Sequence, residues 1–164
     1  MGQGFDVHPF SPDPHRPLVL GGMTIAGARG LAGHSDADAL THALCDALLG
    51  AAGLGDLGQH FPDTDPAFAG AKSLDLLAEV VRRVAEAGFV VGNADCTVVA
   101  EVPRLSPHLG RMAENLADVV GAPVSVKATR AEGLGALGRA EGIACLAVAL
   151  IDGERTAAAN GWPT

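Results

Sequence analysis

Three stripes of apolar side chains at helical spacing, each closed by glycine and interleaved with β-branched runs, constrain the fold of this chain more than any other feature. Leu40, Ala43, Leu44, Ala47 and Leu48 form the first, ended by the glycines at 50, 53 and 55. Leu74, Leu77, Val80, Val81 and Val84 form the second, closing at Gly88. Leu109, Met112, Leu116, Val119 and Val120 form the third, closing at Gly121. Ser35 is expected to cap the first helix with Asp38 at the capping-box position, Ser73 the second, and Ser106-Pro107 the third in the favoured order of cap then proline. Strands are expected at residues 3–8, 17–20, 23–25, 89–102, 124–129 and 143–151, with 17–20 and 23–25 joined as a hairpin through Gly21-Gly22. Residues 132–142 carry too many glycines to be regular and should be a turn region lining something. Helices between strands, with a hairpin, give an α+β single domain over residues 1–153, with a mixed sheet and helices on one face. Residues 154–164 read as a frayed tail.

A chain of 164 residues with 48% hydrophobic content makes one domain with a core and holds no run long enough for a membrane span. The formal net charge of −8, with lysine only at Lys72 and Lys127, removes the electrostatic footprint expected for nucleic acid or an anionic membrane. Aromatics at 4% and the lack of tyrosine argue against stacking surfaces for single strands. An acidic chain binds a phosphate ester only if metal ions and backbone N–H groups supply a local positive field, so a metal is expected. Cys45, Cys96 and Cys145 are odd in number and far apart, which disfavours a disulfide framework and a structural zinc knuckle and suits a reducing cytoplasm. The N-terminus shows no secretory pattern, and Asp6 stands where a myristoylation signal needs Ser or Thr.

Polar, ligand-type side chains are dense at 33–38, 42–46 and 54–65. Asp6 and His8 lie two apart on an expected strand, so both reach the same ion from one face. His42, on the first helix, could complete a set of three N/O ligands with an open fourth position, the mark of a catalytic zinc; the competing reading is an acid and a histidine bonded to backbone. Asp46, one turn beyond His42, could fix the imidazole tautomer, whereas Asp38 is read as favouring the helix start on a solvated face. Asp56, Leu57 and Gly58, with Asp63, Thr64 and Asp65, could hold sugar hydroxyls, although turn chemistry explains them equally. Residues 100–105 end a strand where free backbone groups could read a base edge, or are simply a proline-broken strand end. Glu132 could ligate Mg²⁺ or be a solvated loop acid.

Taken together in order, G-x-G-F-D-V-H at 2–8, G-H-S-D-A-D at 33–38, H-A-L-C-D-A-L-L-G-A-A at 42–52, L-G-D-L-G at 54–58, F-P-D-T-D at 61–65, N-A-D-C-T at 93–97, A-E-V-P-R-L at 100–105, V-K-A-T at 126–129 and G-R-A-E-G-I-A at 138–144 resemble the 2-C-methyl-D-erythritol 2,4-cyclodiphosphate synthases across nearly the whole chain. The resemblance implies an α+β homotrimer with active sites between subunits. It also implies cyclisation of 4-diphosphocytidyl-2-C-methyl-D-erythritol 2-phosphate with release of CMP, in the non-mevalonate route to isoprenoid precursors. By position, Asp6, His8 and His42 resemble the ligands of one Zn²⁺ per chain, and Glu132 the ligand of an Mg²⁺ or Mn²⁺ that bridges the diphosphate. His34 and Ser35 match contacts to the methylerythritol phosphate, His34 also as a transition-state stabiliser. Asp56, Leu57 and Gly58, continued by Phe61, Pro62, Asp63, Thr64 and Asp65, match a wall for ribose or erythritol. Ala100, Glu101, Val102, Pro103, Arg104, Leu105 and Ser106 match the cytosine pocket, and Thr129, Ala131 and Arg139 further substrate contacts.

Two positions depart from the family pattern. Arg130 stands where a threonine serves as transition-state stabiliser, so that role passes to an arginine that could donate to the same phosphate or block the pocket. Ala136 stands where an aromatic is common and, with Arg139, lines a trimer-axis cavity for isoprenoid diphosphates, so that ligand is an open expectation. The rival readings are a zinc-dependent phosphoester hydrolase and a trimeric isoprenoid-binding protein that has lost turnover.

Overall fold

The element that organises the molecule is a glycine-edged strand with a helix lying directly on it. The computed structural model describes residues 1–153 apart from 63, 66, 67 and 69, so the expected tail at 154–164 lies outside the described residues. Strand β1 (Gly2–Pro9) is followed by the hairpin β2 (Leu18–Leu20) and β3 (Met23–Ile25), helix α1 (Ala39–Ala52), the single turn α2 (Leu57–His60) and helix α3 (Ser73–Glu86). Then come β4 (Phe89–Val99), α4 (Leu109–Val120), β5 (Val124–Thr129), the turn α5 (Gly135–Gly138) and β6 (Gly142–Gly153). The main sheet has the order β1-β6-β4-β5, antiparallel except between β4 and β5, and is therefore mixed as expected.

Gly2 and Gly4 explain how closely α1 packs. A Cβ on Gly4 would lie 1.9 Å from the Ala43 carbonyl oxygen, and one on Gly2 2.2 Å from that of Ala47. Only glycine on the strand and alanine on the helix allow the two backbones to touch. Leu40, Leu44, Leu48 and Leu49 of α1 are fully buried, each contributing about 1.5–3 kcal/mol by burial. Cys96, Cys145, Ala147 and Ala149 meet the helical layer from the sheet. All three cysteines are free and buried, and burial raises their thiol pKa values, that of Cys96 to about 12, so they sit in the core as small apolar groups.

Several expected boundaries shift for local reasons. The first helix is capped by Asp38, not Ser35; Asp38 accepts from the backbone N–H of Thr41 (3.0 Å) and its hydroxyl (2.7 Å). Far from lying on a solvated face, Asp38 is fully buried and also accepts from Gly21 N (2.9 Å) and Gly22 N (2.7 Å), tying the hairpin to α1. The helix runs through Gly50 and ends at left-handed Gly53. Ser73 is the first residue of α3 and not its cap, which is Lys72. Ser106-Pro107 lies in the turn before α4, which His108 precedes. The fourth strand ends at Val99 instead of 102, and residues 135–138 form one helical turn inside the loop expected to be irregular.

Among the described residues nothing forms a covering layer on the opposite face of the sheet. Phe5, Val7, Val148 and Leu150 are 43–55% exposed there, on strands β1 and β6. Phe5 pairs with Leu146, and Val148 and Leu150 follow Leu146 on the same face of β6, so exposed apolar side chains of both strands share this face.

Candidate active site

The close seating of α1 on β1 brings His42 beside Asp6. Asp6 Oδ2 lies 3.0 Å from His8 Nε2 and 3.1 Å from His42 Nδ1, with side chains 23%, 20% and 12% exposed respectively. The ligand-type atoms of all three fall within 4.8 Å of one another.

The other ring nitrogens decide what this cluster wants. His8 Nδ1 is 2.7 Å from the Ala32 carbonyl oxygen, which can only accept, so the ring proton sits on Nδ1 and Nε2 presents a lone pair to Asp6. His42 Nε2 is 2.9 Å from Ser73 Oγ and 3.2 Å from Ser35 Oγ, while Nδ1 faces Asp6. With His42 protonated at Nε2, two imidazole lone pairs and a carboxylate converge with no proton among them, an arrangement that only an added proton or a cation relieves. The titration tendencies express the same strain. Burial alone would raise the Asp6 carboxyl, but hydrogen bonds and charge from His42 and His8 hold it far below the usual range. His8 is raised by its bond to Asp6 against the opposing effect of burial. Two imidazoles and one carboxylate are the donor set of a divalent transition metal with an open position.

Around the cluster lies a cavity of about 530 Å³. Asp6, His8, His34, Ser35, His42, Asp46, Leu57, Gly58, Phe61 and Pro62 all line it, so the expectations from four separate stretches of sequence meet in one place. Asp56 is not among the lining residues; it caps α2 by accepting from Gln59 N (2.9 Å) and Gln59 Nε2 (2.8 Å), and that N–H bond leads the lowering of its pKa. Thr64 is exposed, Asp65 offers its carbonyl to His34 Nε2 at 3.3 Å, and Asp63 lies outside the described residues. Asp46 does not fix the His42 tautomer: its carboxylate accepts from Leu57 N at 2.7 Å, which anchors the 56–58 loop to α1.

A second cavity, about 490 Å³, is lined by Ala100, Glu101, Val102, Pro103, Arg104, Leu105 and Ser106 together with Ala128, Thr129 and Arg130. It shares no lining residue with the first. Arg130 is held at its mouth by Glu101, Nε to Oε2 3.2 Å, and Glu101 Oε1 also accepts from Gly133 N at 3.2 Å. One carboxylate thus ties down both sides of Glu132, which is exposed and takes a left-handed φ of 52°. Ala131 lies on the same loop outside both cavities, and Arg139 pairs with Glu141 at 2.7 Å.

Sequence reasoning missed three residues that support the side chains of the first cavity. Ser73 looked like a cap and Asp36 was given no role of its own, yet Ser73 Oγ meets both Asp36 Oδ1 and His42. Arg16 has no motif around it, yet its Nη2 donates to the Gly33 carbonyl (3.0 Å) and the Ser35 carbonyl (2.6 Å), the carbonyls of the two residues on either side of His34. Its only sequence signal is that it is an arginine in a proline-rich turn.

Comparison with known proteins agrees with this geometry. The model of the YgbB family matches residues 1–152. A 2-C-methyl-D-erythritol 2,4-cyclodiphosphate synthase of Enterococcus faecalis is 52% identical over 93% of this chain and 98% of its own. The bifunctional IspDF of Campylobacter jejuni superposes with a TM-score of 0.88 at 44% identity, over 93% of this chain and 42% of that longer one. A 2C-methyl-D-erythritol-2,4-cyclodiphosphate synthase structure in its CDP-bound form superposes with a TM-score of 0.83 at 36% identity, over 92% of this chain and 99% of that one. The chain belongs to the YgbB family, that of the 2-C-methyl-D-erythritol 2,4-cyclodiphosphate synthases.

Proposed function

We propose that this chain converts 4-diphosphocytidyl-2-C-methyl-D-erythritol 2-phosphate into 2-C-methyl-D-erythritol 2,4-cyclodiphosphate and CMP, a cyclising, CMP-releasing lyase of isoprenoid precursor biosynthesis. The observation that carries the reading is the convergence of Asp6, His8 and His42 in the cavity that also holds His34 and Ser35. The donor set fits Zn²⁺, held by His8 Nε2, His42 Nδ1 and Asp6 Oδ2; when bound, it supplies positive charge at a substrate phosphate oxygen.

The nucleophile in this reaction is a phosphate already ionised at neutral pH, so the site needs no general base. What it must supply is position and charge neutralisation. His34 stands on the cavity wall as the proposed transition-state stabiliser, braced by the Asp65 carbonyl and by Arg16 through the Gly33 and Ser35 carbonyls. Ser35 and the 57–62 wall confine the methylerythritol part. The 100–106 pocket takes the cytosine, with Thr129 and Arg130 at the rim for the diphosphate, and Glu132 as ligand of Mg²⁺ or Mn²⁺. Pairing with Glu101 draws the Arg130 side chain to the pocket wall, which favours a donor role over obstruction.

Two half-sites also motivate a homotrimer. The first cavity belongs to β1 and α1 at one sheet edge, and the second to the ends of β4 and β5 at the other. Asp6, Cys145, Val98 and Ala128 stand in one register row, so three strand spacings of roughly 14 Å in total separate the edges. A ring of heterologous contacts sets the metal edge of one subunit against the nucleotide edge of the next and covers the apolar face with Phe5 and Val148. A cytoplasmic location accords with the buried free thiols. Among the described residues no helix is long and apolar enough to cross a membrane. An isoprenoid diphosphate on the trimer axis would rest on Arg139, whose guanidinium is engaged by Glu141.

Phosphorus NMR of the zinc-loaded protein with the cytidyl substrate tests the proposal. A cyclic diphosphate and CMP are expected, with about one zinc per chain that His42→Ala abolishes. A linear monophosphate with CMP would instead establish hydrolysis and overturn it.

A further inference from the structure

We infer that Ser73, backed by Asp36, is a positioning residue that fixes the His42 tautomer and so keeps Nδ1 free for the metal. The inference rests on the metal reading of Asp6, His8 and His42 and assigns the bond that a metal-bound histidine makes through its second nitrogen.

The direction of every proton in this chain follows from its partners. Asp36 accepts from Ser73 N through Oδ2 at 3.0 Å, and its Oδ1 lies against Ser73 Oγ. As an ionised carboxylate Asp36 can only accept, so the Ser73 hydroxyl donates to Asp36. The oxygen of that hydroxyl then has only lone pairs to offer His42 Nε2, 2.9 Å away. His42 must answer with an N–H at Nε2, and Nδ1 is left unprotonated toward Asp6 Oδ2 at 3.1 Å. Ser35 Oγ, at 3.2 Å from the same Nε2, also accepts from Ala37 N at 3.2 Å and is the weaker partner.

The placement is built into the fold. Ser73 is fully buried at the first position of α3, and Asp36 lies in the loop before α1, so the relay ties the start of α3 to the segment leading into the helix that carries His42. Asp36 is further held by Asp38 N (3.3 Å to Oδ1) and by its own N–H to the Ala71 carbonyl (3.1 Å). Seven residues separate Ser35 from His42 but thirty-one separate Ser73, so local sequence carries no trace of the stronger contact.

Zinc competition with a chromogenic chelator, on wild-type protein, Ser73→Ala and Asp36→Asn, tests the relay, with melting at saturating zinc as the control for folding. Ser73→Ala should weaken zinc binding about 10- to 100-fold, the range for loss of such a partner. Asp36→Asn changes almost no volume but lets the amide donate to Ser73 Oγ, turning the serine proton toward Nε2 and the ring proton toward Nδ1. It should therefore weaken zinc at least as much, although it touches no ligand, and it decides the matter if Ser73→Ala fails to fold. Folded variants that hold zinc within about twofold of wild type overturn the relay alone. A wild-type protein that holds no zinc overturns the metal reading, and the relay with it.

Discussion

The contact between α1 and β1 makes a quantitative demand on Gly4. Replacing it with alanine places a methyl group 1.9 Å from the Ala43 carbonyl oxygen and 2.7 Å from Ala47 N. Both are backbone atoms, so no side-chain rotation relieves the clash. Ordinary van der Waals contact begins at 3.4 Å, and the helix must therefore retreat by about 1.5 Å. His42 sits one residue from Ala43, and its ligand atom lies within 4.8 Å of those of Asp6 and His8. Metal ligation tolerates deviations of about 0.2 Å, so a retreat several times larger breaks the site even if the helix stays folded. Overpacking of this kind costs about 1–3 kcal/mol of stability. Gly50→Ala is the matched control: it lies on the same helix with nothing within 4 Å of its Cβ, and should stabilise by about 0.5–1 kcal/mol. Zinc stoichiometry by elemental analysis, beside chemical denaturation of both variants, reads the two effects separately. Gly4→Ala should emerge folded but depleted of zinc and Gly50→Ala fully loaded. A Gly4→Ala protein with a full complement of tightly bound zinc would refute the claim that helix seating sets the ligand geometry.

Arg16→Met keeps the packing of the aliphatic stem and removes both bonds to the peptides around His34, so kcat should fall about 10- to 100-fold while zinc content stays at the wild-type level. Unchanged turnover would show that Arg16 is incidental. The Asp46 carboxyl is raised above its ordinary value of 3.8, chiefly by burial. A raised folded pKa means that Asp46 favours the fold most below its unfolded pKa and loses that contribution as pH rises through the folded value. Asp46→Asn, which can still accept from Leu57 N, should therefore raise Tm at pH 7, and the gain should vanish by about pH 3. A gain that persists in acid would mean packing and not charge.

What could be read from the sequence divides by range. Periodicity located α1, α3 and α4, and glycine chemistry found the stop at left-handed Gly121, because both are local. The three-ligand cluster was legible because the Asp6/His8 alternation on a strand fixes a common face and His42 offered a third donor on the first helix, a set that the resemblance also implied. Two of the three helix starts failed for one physical reason. Ser35 and Ser73 both looked like caps, since cap chemistry and site chemistry draw on the same hydroxyl. The fold spends those hydroxyls on His42 and gives the cap of α1 to Asp38, a buried acid that also binds the hairpin. Asp46 failed similarly: one helical turn beyond His42 is the correct face, but a backbone N–H from residue 57 reaches its carboxylate first. Arg16 was illegible because it acts on backbone carbonyls, which leave no residue signature at the positions they occupy.

Electrostatics shows why the few cations at the cavities matter more than their number suggests. The chain carries −8 overall and must attract a substrate with several phosphate charges. Among the described residues, Arg82, Arg83, Arg111, Lys127, Arg130 and Arg139 each lie within ion-pair distance of a carboxylate, so their fields are largely cancelled. The cations outside that set include Arg29, which donates to the Ser11 carbonyl and lies over the Phe10 ring, and also Arg16 and Arg104. Arg16 is bonded to carbonyls behind the first cavity, and Arg104 to the Ser106 hydroxyl in the second, at 3.0 Å. Neutral partners orient a guanidinium without neutralising it, so Arg16 keeps its charge behind the first cavity and Arg104 keeps its charge in the second. On the synthase reading, these two charges and the ligated metal make up the positive field that the composition withholds, one at each edge of the sheet. In the proposed trimer the fields add along one substrate only where the edges of neighbouring subunits meet, and an isolated subunit should therefore bind the nucleotide weakly even with its zinc in place.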